Sequence, residues 1–157
     1  MTRLEQLAKH IERTVVGPLW HGPVLDQALA GITPEQASAH PLSGAHSIWE
    51  IVLHVAAWAE ISRARLDGRA IADPPAEIDW PPVRDPDAAE WESALHRLRE
   101  SHRELAVRVR QLDEGVLDTR MPGLDYSPWV LLHGVVEHGT YHGGQIMLLR
   151  RALGIAR

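Results

Sequence analysis

Apolar residues recur every three or four positions along most of this chain, and no segment alternates for long enough to specify a strand. Leu4, Leu7, Ala8, Ile11 and Val15 form one helical stripe, which Gly17 and Pro18 interrupt. Val24 to Leu29 resumes a helical path. Thr33-Pro34-Glu35-Gln36 then supplies an N-cap, a proline for the first turn and a capping-box glutamine. Ser47-Ile48-Trp49-Glu50 opens a longer helix in the same way; its stripe is Ile48, Val52, Val55 and Ala59, and it runs to Asp67 and stops at Gly68. From Ala70 to Pro86 proline is too frequent for a regular helix, so this stretch reads as an ordered surface connection anchored by Trp80. The next helix starts near Asp85 or Asp87 and passes through Trp91, Leu95, Leu98, Leu105 and Val109 to the neighbourhood of Leu112. A short helical turn follows before MPGLDYS, and Ser127-Pro128 opens a last long helix that ends at Gly154.

Four principal amphipathic helices with polar outer faces predict an all-α fold, a four-helix bundle with short accessory helices. A globin-like packing of more oblique helices is the alternative. The connection of about seventeen residues after the second long helix exceeds what a tight hairpin needs, so it permits a crossover. A chain of 157 residues suits one domain, 1–157, with its own core.

Composition narrows the function classes. A formal charge of −5 argues against general affinity for nucleic acid, which needs a cationic footprint. No apolar run approaches the length that crosses a bilayer, and the first residues, MTRLEQLAKHIERT, do not resemble a signal peptide, so a cytoplasmic location is expected and no membrane partner. Without cysteine, neither disulfides nor thiolate ligands are possible. Ten histidines stand out, because imidazole is the commonest protein ligand for transition metals.

On a wheel of roughly 100° per residue, Leu131, Val135, Ile146, Leu149 and Leu153 of the last helix share one arc. His142 falls inside it, His138 and Gln145 lie along one border, and His133 points away with Glu137, Thr140 and Arg151. An HxxxH pair at this spacing fits two arms of a metal site, or two interior histidines satisfied by neighbours or water. His54 projects from the edge of the second long helix's stripe, where it is either a third ligand or a boundary histidine reaching water. Gly143 and Gly144 weaken the last helix, and close approach of another backbone would account for them. Glu50 reads as the capping partner of Ser47, Gln145 as a support for a ligand or an interhelical hydrogen bond, and Trp49, Trp58 and Trp129 as packing residues. Tyr141 fits a bundle edge or interface.

The combination of HSIWEIVLHVAAW with HGVVEHGTYHGGQIMLLRRALG resembles the DinB family of DinB/YfiT-like metalloenzymes. WHGPVLDQALAGITPEQASAHPL is similar to the segment preceding that family's second bundle helix, and only the Pro-rich connection is undiagnostic. The resemblance implies a bundle that holds a metal on three histidines, carried residue by residue onto His54, His138 and His142; no catalytic residue is assigned. Three imidazoles leave a coordination position free on a four-coordinate ion. Zinc or nickel suits the set best, and iron or manganese is compatible. Relatives of this kind imply thiol-dependent S-transfer with a low-molecular-weight thiol, and association as a homodimer. A metal-dependent hydrolase and a non-enzymatic metal-binding or stress-response protein are the competing readings. The sequence offers no clear cationic pocket for a particular thiol.

Overall fold

The computed structural model describes residues 1–84 and 86–155. Its helices, in chain order, are α1 (Arg3–Val15), α2 (Leu25–Leu29), α3 (Pro34–Ser38), α4 (Ile48–Leu66), α5 (Ala76–Asp79), α6 (Ala88–Arg110), a 3₁₀ turn (Glu114–Asp118) and α7 (Pro128–Ala152). Among the described residues there is no strand, only a bridge between Leu19 and Gly22, and no helix is long and apolar enough to cross a membrane.

Local chemistry explains where the helices begin. Thr2, Thr33, Ser47 and Asp87 each accept a first-turn N–H through the side chain, leaving fewer orphan donors. Glu50 closes the box by accepting from the Ser47 N–H at 2.7 Å. The third long helix is capped by Asp87; a start at Asp85 lies outside the described residues. Gly68 and Gly154 follow α4 and α7 with φ of +87° and +70°, the left-handed region that only glycine enters freely.

The four long helices pack in a ring: α6 lies against α1 and α4, and α7 lies against the same two. Apolar burial holds the ring. The α1 stripe (Leu4, Leu7, Ala8, Ile11, Val15) is wholly buried. Around one end it joins Leu105, Val109, Leu132 and Val135; at the other, Ile48, Val52, Leu98, Ile146 and Leu149 pack with α2 and α3. Each such Leu or Ile contributes on the order of 1.5–3 kcal/mol of burial. Along α7, His138 and His142 fall between Val135 of the first cluster and Ile146 of the second.

The long connection after α4 is the crossover that its length permits: Trp49 meets Trp91, Glu60 meets Arg97 and Asp67 meets Arg108, so α4 and α6 lie side by side and parallel, and the chain returns along the bundle between them. Two other expectations change. The connection folds back over α4 and includes the single turn α5 just after Pro75, so the Pro-rich stretch is not free of helix. Nor does close approach explain Gly143 and Gly144. A Cβ on Gly144 would meet open space, and one on Gly143 only ordinary contact with Leu25 at 3.6 Å. The tight position is Gly139, where a Cβ would collide with the Thr14 methyl. Thr14 is buried, β-branched and bonded through Oγ1 to the His10 carbonyl at 3.0 Å, so it cannot readily swing aside.

Gly139→Ala should therefore overpack the α1–α7 contact, at about 1–3 kcal/mol, and outweigh the about 1 kcal/mol gained in helix propensity. Gly144→Ala should be neutral or stabilising. Denaturant melts of the two variants check this, and equal behaviour would contradict the contact.

Candidate metal centre

His54 of α4 and His138 and His142 of α7 meet where these two helices pack. His138 Nε2 lies 3.0 Å from His54 Nε2 and 3.0 Å from His142 Nε2. These separations are close to the about 3.3 Å edge of a tetrahedron whose metal–nitrogen bonds are about 2.0–2.1 Å. His54 and His142 are buried and His138 is half-buried.

The opposite ring nitrogens decide which atoms face inward. His54 Nδ1 donates to the Asp79 carbonyl at 2.6 Å, and His142 Nδ1 donates to Gln145 Oε1 at 2.6 Å. Each ring then carries its lone pair on Nε2, so two lone pairs converge on the third imidazole, which has at most one proton there to share. A cation at the centre would satisfy all three. The donor chemistry thus fits a divalent transition metal, with the outer hydrogen bonds fixing the tautomers.

Aromatic and acidic groups brace His54. Trp80 stacks on its ring at 3.8 Å and 6°, and His46 stacks on Trp80 at 3.6 Å and 9°. The Asp79 carboxylate accepts from Trp58 Nε1 at 2.6 Å and lies 3.2 Å from His54 Nδ1. Trp80 is therefore more than an anchor, and Trp58 is a wall of the site as well as a packing residue, its ring 5.9 Å from that of His138. A tryptophan stranded among prolines was a signal for such a lid; nothing in the sequence pointed to Asp79. Trp49 and Trp129 do remain packing residues, against Trp91 and His133.

His133 stays apart from the cluster, against Trp129 at 4.3 Å, but it does not simply face solvent: its Nε2 is buried and without a partner among the described residues. Gln145 supports His142, and its amide also donates to the Tyr141 hydroxyl at 3.1 Å on the exposed edge of α7.

Burial chiefly, then the neighbouring His142 and His54, pushes His138 down to about 3. Burial likewise takes His142 to about 4, against the opposing pull of Gln145, and lowers His54 despite Asp79. The neutral, ligating form is thus favoured at neutral pH.

Two hollows reach the cluster. One, of about 570 Å³, lies beside His54 and His142 and is walled by Leu42, His46, Ile51, Trp80 and Leu148. The other, of about 390 Å³, lies beside His54 and His138. It includes Trp58, Val130, Tyr126 and the buried Arg65, none of which but Trp58 stood out in the sequence. Both are predominantly apolar.

A family model described as the DinB superfamily matches residues 20–146, a span that contains all three histidines. No curated protein and no solved structure gives a significant match.

The pH response follows from these rings and from His102, which burial also takes down to about 4. Unfolded histidines titrate near 6.5, so below that pH the unfolded chain takes up protons that the folded one refuses. Stability of the metal-free protein should be full above about pH 6.5 and fall progressively towards pH 4. Denaturant melts across that range provide the check, and His102→Leu should flatten part of the slope.

Proposed function

Because the chain belongs to the DinB superfamily, we propose that it is a metalloenzyme that binds a divalent metal on His54, His138 and His142 and catalyses thiol-dependent S-transfer. The observation that carries the metal reading is the convergence of three imidazole Nε2 atoms, with two of the Nδ1 atoms held in hydrogen bonds to oxygen. Zinc or nickel is the expected ion, with iron or manganese compatible with three nitrogen donors. When bound, such an ion supplies a Lewis acid with a position left for a thiol or water.

The chain's own residues hold and shield that position. The Asp79 carbonyl and Gln145 keep the rings aimed inward, Trp80 covers one face of His54, and the two hollows give a small molecule access beside the histidines. Their apolar walls favour the neutral imidazoles and would strengthen any charge interaction inside. We read the ring of four long helices as a four-helix bundle and residues 1–157 as one domain. We also assign it a homodimeric state, for which α7 offers exposed Val130, Tyr141 and Leu148.

Elemental analysis of purified protein should give one metal per chain. Alanine at His54, His138 or His142 should abolish stoichiometric binding, whereas His133→Ala should retain it. Equal loss from all four, or none from the three, would reject the ligand assignment. In cobalt-substituted protein, small thiols should shift the visible spectrum, and turnover with a thiol panel should depend on the metal. Turnover only of esters or amides would replace transfer with hydrolysis, and metal binding without any turnover would leave a binding protein. Light scattering at several concentrations should give a dimer mass, and a monomer throughout would remove that assignment alone.

A further inference from the structure

The hollow beside His54 and His138 contains a charge that the metal site does not use. Arg65 is only 4% exposed, and no carboxylate among the described residues forms an ion pair with it. Its Nε donates to the Ile71 carbonyl at 2.8 Å, one terminal nitrogen to the Ala72 carbonyl at 2.9 Å, and the other to the Tyr126 hydroxyl at 2.8 Å. These neutral acceptors use three of its five N–H donors but leave its charge uncancelled. Trp58 offers a ring face 5.2 Å from the guanidinium carbon. A buried cation without a counter-charge is costly, and a fixed anion would relieve it.

Tyr126 adds a second donor. Its oxygen accepts from Arg65, and no described residue accepts its own proton, which is left to donate. Arg65 and Tyr126 both line the hollow, and Trp58 lies near both ends of it, its ring centre 5.2 Å from the guanidinium carbon and 5.9 Å from that of His138. Asp79 is also on the wall, but its carboxylate is held by the Trp58 indole and does not pair with Arg65. Ser62 also lines the hollow, its hydroxyl donating to the Trp58 carbonyl, and Val130, Leu131 and Val135 make the rest apolar.

We propose that Arg65 and Tyr126 form an anion subsite that binds the carboxylate of an apolar substrate, with the substrate body lying along Trp58 and its reactive end at the three histidines. A monoanionic carboxylate matches one buried cation, whereas a phosphate dianion would leave surplus charge against apolar walls. The anion contact stands on Arg65 and Tyr126; the position of the reactive end rests on the metal reading above.

Calorimetric titration with 3-phenylpropionate and its neutral isostere 3-phenylpropionamide tests this in zinc-loaded and metal-free protein. The carboxylate should bind at least about tenfold more tightly than the amide in both forms, about 1.4 kcal/mol. Tyr126→Phe should cut that preference several-fold while circular dichroism shows the helical fold retained, and Arg65→Lys should cut it further by removing the planar fork. Equal binding of the two probes to metal-free wild type, or binding of neither, would overturn the subsite, as would a preference that survives in both variants. Preference in a protein that takes up no stoichiometric metal would keep the subsite and defeat the metal reading instead.

Discussion

Three imidazoles that turn their Nε2 atoms towards one another, within hydrogen-bond distance and largely buried, are the arrangement on which the site depends. Such a group is electrostatically unfavourable when left to itself, because converging lone pairs repel and burial penalises the protonation that would relieve them. It is held by contacts made at the other side of two of the rings. The Asp79 carbonyl and Gln145 take the Nδ1 protons of His54 and His142, which leaves those rings no alternative but to face inward.

Those supports make demands on the surrounding fold. Asp79 and Trp80 reach His54 because the connection between α4 and α6 runs back over α4, as it must to join two helices that lie side by side and parallel. On the other helix, the register of His138 and His142 depends on how closely α7 lies against α1. Gly139, next to His138, removes the one side-chain atom that would collide with Thr14. Arg150 adds a tie at the far end of α7, donating to the carbonyls of Ala28 and Ala30 at the end of α2.

The two hollows differ in a way that bears on chemistry. That beside His142 is walled by aliphatic side chains and by the stacked Trp80, with His46 at its margin. That beside His138 carries a buried guanidinium in a predominantly apolar wall that also includes Asp79 and Tyr126. A low local dielectric strengthens what the charge can do there, for the same reason that it depresses the histidines a few residues away.

The long helices and part of the candidate site were legible in the amino-acid sequence. Capping residues at Ser47 and Asp87, the proline of Pro128 and the glycines Gly68 and Gly154 act within one turn, so the bounds of α4, α6 and α7 were legible from local chemistry. The spacing of His138 and His142 put both rings on one side of α7, and the motif resemblance added His54. Helix packing was needed to see that Asp79, Trp80 and Gln145 hold these rings, that Gly139 and not Gly143 or Gly144 is the point of close approach, and that Arg65 and Tyr126 share a hollow with His138. The reason is physical. A cap or a helical stripe depends on residues three or four positions apart, whereas a buried charge without its counter-ion, or a clash with a methyl group more than a hundred residues away, exists only once the helices have packed.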